Sequence, residues 1–257
     1  MLTETAVRAN LEHVRPFLLI ATRFDDHVAD AEYESFRAFA GLQKHELVRL
    51  RLEQERMPAI DLDHYSGMLV GGSPFNASDD ASTKSEVQLR VESEMSALLD
   101  KVMARDFPFF GACYGVGTLG VHEGGLIDGT YGERVGAIEV TLTDAGQQDP
   151  LFAGIPSSFR AWVGHKEAVT RLPDDAVLLA TGTDCPVQAF RVRRNLYATQ
   201  FHPELTADDV VERVRAYRFE GYFEPDELDA TEQAIRSAPN VTWPGRLLRA
   251  FAERYAR

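Results

Sequence analysis

The stretch Phe109-Phe-Gly-Ala-Cys-Tyr-Gly-Val-Gly117 is the most informative part of this 257-residue sequence. An apolar run leads into the pattern Gly-x-Cys-x-Gly, and a segment of helical composition follows. This order is typical of a nucleophile elbow with cysteine in the place of serine. The glycines permit a tight turn, and the N-terminus of the following helix favours a thiolate at Cys113. A buried cysteine in a glycine-rich turn has the same local sequence, so this stretch alone leaves both interpretations open.

The segments around this elbow predict an α/β domain. Before residue 125, short apolar runs alternate with helical patterns, as in βαβ units that build a parallel sheet. The predicted strands are residues 17–22, 47–52, 67–70 and 107–111, and the predicted helices are residues 3–14, 30–41 and 84–104. Further β-like runs predict antiparallel strands that extend or flank the sheet, at residues 136–142, 159–163, 176–180, 187–192 and 197–201. We therefore expect a single three-layer α/β domain over residues 1–257.

The C-terminal part of the chain has a helical pattern. Thr206-Ala-Asp-Asp209 resembles a capping box and predicts the start of a helix. Leu247, Leu248 and Phe251 are expected to dock a later helix against the rest of the domain. The aromatic residues of 217–223 are expected to form a core face. We expect this helical extension to cover the edge of the sheet, with the docking of a partner chain as the alternative.

Composition excludes several classes of function. The net charge of −13 argues against general binding to nucleic acid or to anionic membranes, which requires an excess of Lys and Arg. No apolar run approaches the ~20 residues of a membrane span. Cys113 and Cys185 form neither a disulfide framework nor a metal-binding spacing, so Cys185 is expected to be a small buried apolar residue. The sequence thus predicts a cytoplasmic globular protein with no metal and no cofactor.

Two other segments carry residues suited to thiol chemistry. Gln200-Phe-His-Pro-Glu204 follows a predicted strand, and a thiol nucleophile needs a base and an acid that orients it. His202 can supply the base and Glu204 the acid. Val70-Gly-Gly-Ser-Pro74 also follows a predicted strand, and its glycines would let a backbone N–H face a developing oxyanion, although a simple turn has the same sequence.

Together, these three segments resemble the class I glutamine amidotransferases, which use a Cys-His-Glu triad. The resemblance covers about residues 17–205 and keeps the family's order of Gly-Gly loop, cysteine elbow and His-Pro-Glu. Trp162-Val-Gly-His-Lys-Glu167 resembles the family's segment before its last strands, and residues 187–204 resemble its closing hairpin. The most similar subgroup consists of stand-alone domains related to the amidotransferase part of GMP synthase. The resemblance implies a catalytic core at about 17–205 and a helical extension at 206–257.

The resemblance also implies a fold and a reaction. The fold would be flavodoxin-like, with a mainly parallel central sheet, added antiparallel strands and a site at the strand ends. Cys113 would attack a carboxamide and form a γ-glutamyl thioester, which releases ammonia. His202 would protonate the leaving ammonia and then activate water, while Glu204 holds the imidazole in orientation.

The family pattern further implies binding roles for three groups. The backbone N–H groups of Gly72 and Tyr114 would form the oxyanion hole. Glu167 would meet the α-ammonium group of the substrate, although a carboxylate at this spacing is otherwise an ordinary solvated charge.

The sequence departs from the family at one substrate-binding position. The family's elbow continues with His-Gln, and the Gln side chain contacts glutamine, whereas this chain has Val116 and Gly117. Three alternatives follow: hydrolysis of free glutamine through other contacts, hydrolysis of a larger γ-glutamyl compound admitted by the space at Gly117, or binding without turnover. No Gly-x-x-x-x-Gly-Lys-Ser/Thr motif is present, so an ammonia acceptor would be a synthetase subunit on another chain.

Two other classes of protein remain as alternatives to an amidotransferase. An α/β-hydrolase with a cysteine nucleophile shares the elbow, but there the acid precedes the histidine, whereas Glu204 follows His202. A non-enzymatic interaction module would retain its biological role when Cys113 is replaced by serine.

Overall fold

A computed structural model describes residues 14–239 and 241–257. The helix predicted over residues 3–14 lies, except for its last residue, outside the described residues. Within them, nine strands form one sheet in the order β2-β1-β3-β4-β11-β10-β9-β6-β7, and two more form a small separate sheet, β5-β8. The strands are β1 (Phe17–Ala21), β2 (Leu47–Arg51), β3 (Met68–Val70), β4 (Phe109–Ala112), β5 (Leu126–Asp128), β6 (Glu133–Leu142), β7 (Ser158–His165), β8 (Ala168–Arg171), β9 (Val177–Gly182), β10 (Ala189–Val192) and β11 (Leu196–Thr199).

The large sheet has a parallel half and an antiparallel half. Strands β2, β1, β3, β4 and β11 pair in parallel, which reproduces the flavodoxin-like strand order 2-1-3-4-5 with β11 as the fifth strand. Strands β10, β9, β6 and β7 continue the sheet with antiparallel pairs. The predicted α/β fold, mainly parallel with added antiparallel strands, is confirmed. The small β5-β8 sheet was not expected, because its three- and four-residue strands are too short to show a periodic pattern.

Helices cover both faces of the sheet. They are α1 (Asp26–Ala40), α2 (Glu86–Ala104), α3 (Tyr114–His122), α4 (Asp144–Gln148), α5 (Ala207–Ala216), α6 (Leu228–Ser237) and α7 (Gly245–Tyr255). Strand β1 is buried along its whole length, and its residues alternate between the two faces. Leu18 packs with the apolar side of α2 and α3, whereas Leu19 packs with α1 and α7. The fully apolar run at residues 17–21 therefore forms a central strand, as expected for a sheet that is covered on both sides.

The C-terminal helix α7 is part of the domain core. Leu247, Leu248 and Phe251 are fully buried, which confirms the predicted docking of this helix. The ring centroid of Phe251 lies 6.1 Å from that of Phe17 on β1 and 5.6 Å from that of Phe110 on β4. The expectation that the extension covers the edge of the sheet is wrong for α7, which packs beside α1 on a face of the sheet. Helices α5 and α6 instead form an apolar cluster with Trp162 of the edge strand β7.

The capping box at Thr206 is confirmed. Its hydroxyl accepts a hydrogen bond from the Asp209 backbone, and the Asp209 carboxylate accepts one from the Thr206 backbone. This places the N-cap of α5 two residues after Glu204. Among the described residues, no helix combines the length and the apolar composition that crossing a membrane requires.

Candidate active site

Cys113 occupies a strained turn between β4 and α3. Its φ of 54° and ψ of −91° lie in a region that residues with a side chain rarely adopt. A Cβ atom at Gly111 would come within 2.7 Å of the Gly115 Cα, so the strand end of the elbow must approach the start of α3 without a side chain. Cys113 is partly exposed, whereas Ala112 and Tyr114 are buried. The elbow thus directs one thiol out of a buried turn, and such stored strain is typical of functional sites.

His202 and Glu204 lie beside this thiol. The His202 backbone N–H donates to the Trp162 carbonyl at 2.8 Å, which ties the segment after β11 to β7. Nδ1 of His202 lies 2.8 Å from Oε1 of Glu204, and both side chains are buried. His202 and Cys113 border the same cavity, and the thiol affects the charge of the imidazole. The structure therefore brings these three sequence-predicted residues together.

The charges of the three groups are interdependent. Burial by itself would lower the pKa of His202, but the negative charges of Glu204 and Cys113 and the hydrogen bond to Glu204 raise it to about 9. Burial would raise the pKa of Glu204, but His202 and Arg213 lower it to about 2. At neutral pH the imidazole is therefore cationic and the carboxylate is anionic.

The glycine loop after β3 lies against the same histidine. A Cβ atom at Gly72 would lie 2.9 Å from Cε1 of His202 and 2.5 Å from Nη2 of Arg23. Only a residue without a side chain fits there, so the backbone at position 72 is next to the imidazole. Tyr114, the other residue predicted to supply a backbone N–H, directly follows Cys113 at the start of α3.

A buried network of charges stands behind His202 and Glu204. Nη2 of Arg213 lies 3.1 Å from Oε1 of Glu204 and 3.0 Å from Oε2 of Glu32. Nε of Arg23 lies 3.1 Å from the same Glu32 oxygen. Sequence analysis missed these residues, since Arg213 and Glu32 look like ordinary polar positions on amphipathic helices. Only the packing of α5 against α1 brings them together.

Gly117 and Glu167 lie together on the other side of Cys113. Oε1 and Oε2 of Glu167 accept hydrogen bonds from the backbone N–H groups of Ala77 at 2.8 Å and Ser78 at 2.7 Å. A Cβ atom at Gly117 would lie 2.9 Å from Oε1 of Glu167 and 3.2 Å from Cβ of Ala77. The space expected at Gly117 is therefore restricted, because Glu167 and the loop after β3 occupy the direction of a side chain, while Gly117 still borders a cavity.

A buried polar cluster holds the backbone of Glu167. Nδ1 of His165 is 2.9 Å from the Glu167 carbonyl oxygen, and Nε2 of His165 is 2.8 Å from Oε2 of Glu133. The Gln188 amide donates to the same Glu133 oxygen at 2.7 Å. Ligand atoms of Glu133, His165 and Cys185 lie within 4.8 Å of one another, a grouping that could hold a metal ion. The hydrogen bonds already given account for Glu133 and His165 without one.

Cys185 is fully buried, as predicted for a small apolar residue. Burial raises the pKa of its thiol to about 12, so the thiol is neutral at physiological pH.

The sequence analysis missed two further residues near Cys113. Gln200 is buried, and its amide oxygen has no hydrogen-bond partner among the described residues. Its position at the start of the Gln-Phe-His-Pro-Glu motif is the only sequence signal for it. Tyr222 lies beside Cys113 and borders the cavities on both of its sides.

The aromatic segment 217–223 differs from expectation. It consists of turns rather than a helix, and only Phe223 is buried in a small apolar cluster with α5 and α6. Tyr217 and Tyr222 instead line a cavity at Cys113. The predicted core face is therefore wrong for Tyr217, because the polypeptide after α5 crosses the opening of the site, whereas Tyr222 lines the cavity and also packs against the cluster of Phe223.

Cys113 thus separates two cavities. One is bordered by Tyr114, Gly117 and Glu167, and Gln200 also contributes to it. The other is bordered by His202 and by residues of α5 and the segment that follows it. This arrangement of a thiol, an imidazole and a carboxylate is suited to nucleophilic attack on a carbonyl carbon.

Comparison with known proteins agrees with this arrangement. The model of the family "Glutamine amidotransferase class-I" matches residues 26–213. The chain belongs to the class-I glutamine amidotransferases. That span includes Cys113, His202 and Glu204 and ends at Arg213.

Curated relatives of this amidotransferase are GMP synthases. A glutamine-hydrolysing GMP synthase of Porphyromonas gingivalis is 30% identical over 146 residues, which cover 56% of this chain and 26% of that protein. One subunit of the glutamine-hydrolysing GMP synthase of Thermoplasma acidophilum is 27% identical over 146 residues, which cover 56% of this chain and 66% of the relative. The matched region is thus about a quarter of the first relative and just under two thirds of the second.

Solved amidotransferase structures share the fold. One from Thermotoga maritima superposes with a TM-score of 0.69 at 21% identity, covering 95% of this chain and 99% of the other. One from Methylobacillus flagellatus superposes with a TM-score of 0.67 at 17% identity, covering 94% of each chain. At these identities the likeness establishes the amidotransferase fold over nearly the whole chain.

Proposed function

We propose that this amidotransferase hydrolyses the side-chain amide of glutamine through a covalent thioester on Cys113. The observation that carries the proposal is the hydrogen bond between Nδ1 of His202 and Glu204, together with the position of His202 on the same cavity as the thiol at the strained elbow. Membership of a family whose curated relatives are named as glutamine-hydrolysing supports the choice of substrate.

The reaction has two halves. In the first, Sγ of Cys113 forms a bond to the carbonyl carbon, and the C=O electron pair moves onto oxygen, facing the N–H groups of Gly72 and Tyr114. The imidazolium of His202 gives its proton to the amide nitrogen, the C–N bond breaks, and ammonia leaves. In the second half, His202 takes a proton from water, the hydroxide attacks the thioester, and glutamate and the thiolate are released.

Glu204 acts on the imidazole rather than on the substrate. Its carboxylate fixes the ring so that Nε2 faces the thiol, and its negative charge stabilises the imidazolium. The raised pKa of His202, about 9, supports an imidazolium that is available as an acid at neutral pH.

Glu167 and Gln200 are proposed to bind the amino-acid end of the substrate. A carboxylate offers about four acceptor positions, and the backbone of Ala77 and Ser78 uses two of those on Glu167. The remaining positions can receive an α-ammonium group, while the unpartnered amide oxygen of Gln200 offers another acceptor. These contacts would stand in for the Gln side chain that is absent at Gly117.

The ammonia acceptor is proposed to be on another chain. The relative from Thermoplasma is named as one subunit of its enzyme, which supports a function shared between two chains.

The test is covalent labelling with a glutamine analogue that carries a diazoketone in place of the amide, followed by intact-mass analysis. We expect fast labelling that excess glutamine prevents, that Cys113→Ala abolishes and that Cys185→Ala leaves unchanged. In a parallel assay of ammonia release, Cys113→Ala should retain less than about 1% of the activity, since loss of a covalent nucleophile removes several orders of magnitude.

Two outcomes would contradict the proposal. Labelling by a generic alkylating reagent alone would show a reactive thiol without a glutamine pocket. Absence of labelling at Cys113 by either reagent would favour a binding protein without turnover.

A further inference from the structure

The cavity on the His202 side of Cys113 is a separate compartment from the one that holds Glu167. It is bordered by Val135 on β6, Val163 on β7 and Val210 and Val214 on α5, and the segment after α5 closes it with Tyr222. The cavity beside Gly117 and Glu167 has none of these valines on its wall. A substrate amide at Cys113 would therefore have one compartment on each side.

The chemistry of the thioester decides which end of the substrate faces which compartment. The acyl chain lies on the side of Glu167 and Gln200, where its charged amino-acid end has polar partners. The amide nitrogen must lie next to His202, because that imidazolium protonates it as the C–N bond breaks. Any group attached to this nitrogen then extends into the cavity lined by the valines, which free glutamine leaves empty.

The wall of this cavity is suited to an uncharged group. Its three cations, Arg23, Arg213 and the imidazolium of His202, are already paired with the buried carboxylates of Glu32 and Glu204. Burial raises the pKa of Tyr222 to about 12, so this hydroxyl also stays neutral. Among the residues that border the cavity, no unpaired cation is left to bind an anionic group.

We propose that the substrates of this site include γ-glutamyl amides whose nitrogen carries an apolar alkyl or aryl group, and that this group occupies the cavity formed by Val135, Val163, Val210 and Val214. The inference rests on the proposed thioester mechanism and specifies its leaving group. Sγ of Cys113 displaces a primary amine instead of ammonia, the amine nitrogen receives the proton of His202, and water then releases glutamate.

A series of γ-glutamyl amides tests the inference with the unmodified protein. The substrates are glutamine, the N-methyl, N-n-butyl and N-benzyl amides, and an amide with the same butyl chain ended by a carboxylate. Burial of each methylene is worth about fourfold in binding, so kcat/KM should rise at least about tenfold from the methyl to the butyl amide. The kcat/KM value for the carboxylate-ended amide should be at least about tenfold lower than the value for the butyl amide.

A filling substitution tests the position of the group. Val135 is only partly buried, so Val135→Trp can fold and reduce the space. It should lower the ratio of kcat/KM for the butyl amide to that for the methyl amide by at least about fivefold. The matched control is Val48→Trp, on the strand β2 at the opposite edge of the sheet, where the ratio should not change. Circular dichroism checks that both variants fold.

Each result separates this inference from the proposed function. Cleavage of glutamine with no gain for the butyl or benzyl amide would overturn the inference and leave the thioester mechanism intact. If no amide is cleaved, glutamine included, the inference and the proposed hydrolysis of glutamine both fail, and diazoketone labelling of Cys113 then shows whether a glutamine pocket with a reactive thiol remains.

Discussion

Arg213 and Glu204 form a buried ion pair in which Nη2 of the arginine lies 3.1 Å from Oε1 of the carboxylate. The same oxygen lies 2.8 Å from Nδ1 of His202. Arg213 is held in turn by Glu32, whose Oε2 also contacts Arg23. The guanidinium therefore fixes the position of the carboxylate that orients the imidazole, and it helps to lower the pKa of Glu204 to about 2.

Arg213→Gln should weaken catalysis through Glu204 without touching the substrate carbonyl. A hydrogen bond to a charged group contributes about 1.5–3 kcal/mol, so kcat/KM should fall roughly 10- to 100-fold. Loss of the arginine charge raises the pKa of Glu204, so the acid side of the pH profile of kcat/KM should move to higher pH. Steady-state kinetics between pH 4 and pH 10 would measure both effects.

Two variants control this experiment. Arg213→Lys keeps the charge and should recover part of the activity and most of the pH profile. Arg215→Gln removes an arginine from the same helix that pairs with Glu232 at the surface, and it should leave the profile unchanged. An equal loss of rate in Arg213→Gln at every pH would instead indicate a structural role for Arg213.

The pH dependence of the unmodified protein should show an alkaline limb near pH 9. His202 must be cationic to protonate the leaving nitrogen, and its pKa of about 9 means that this form is lost as the pH rises through 9. Glu204→Gln removes the charge that most raises this pKa, so the limb should shift to lower pH. The Glu204→Gln variant should also react less slowly than the His202→Ala variant, because Glu204 orients the proton donor and does not transfer the proton.

Measurement of kcat/KM as a function of pH for Glu204→Gln and His202→Ala checks these expectations. An alkaline limb that stays near pH 9 in Glu204→Gln would contradict the assignment of the raised pKa to this pair.

Gly117→Ala should disturb substrate binding through Glu167. The added methyl group would lie 2.9 Å from Oε1 of Glu167, so the carboxylate must move away from the backbone of Ala77 and Ser78. We expect KM for glutamine to rise about tenfold with little change in kcat, which corresponds to the loss of one charged hydrogen bond. Gly136→Ala is the matched control, since its methyl group meets no atom within 4 Å. Equal KM values for the two variants would remove Glu167 from the substrate site.

Phe251→Ala should destabilise the fold, because it removes a core side chain of the C-terminal helix α7. Phe251 is fully buried against Phe17 and Phe110, and removing such a side chain typically costs about 3–5 kcal/mol. Phe219→Ala, at a side chain that is 80% exposed, should change the free energy of unfolding by less than about 0.5 kcal/mol. Chemical denaturation would compare the two, and similar midpoints would show that α7 adds nothing to the stability of the domain.

Most of the sheet could be predicted because its strands are either wholly apolar or regularly alternating. The run at residues 17–22 and the run before Cys113 indicated central strands, and both are central in the structure. The two strands of the β5-β8 sheet could not be predicted, since so few residues have no period. The position of α7 was missed because an amphipathic pattern shows that a helix packs but not on which surface.

The sequence by itself determined the family and the residues that meet at Cys113. Those residues lie in short contiguous motifs, and the ends of neighbouring parallel strands bring such motifs to one edge of a sheet. Only the tertiary structure decided the environment of these groups. The contact of Glu167 with Gly117, the pairing of Arg213 with Glu32 and the closing of a cavity by Tyr222 all join residues that are distant along the chain. Such contacts depend on how helices and loops pack, and local patterns in the sequence carry no information about that packing.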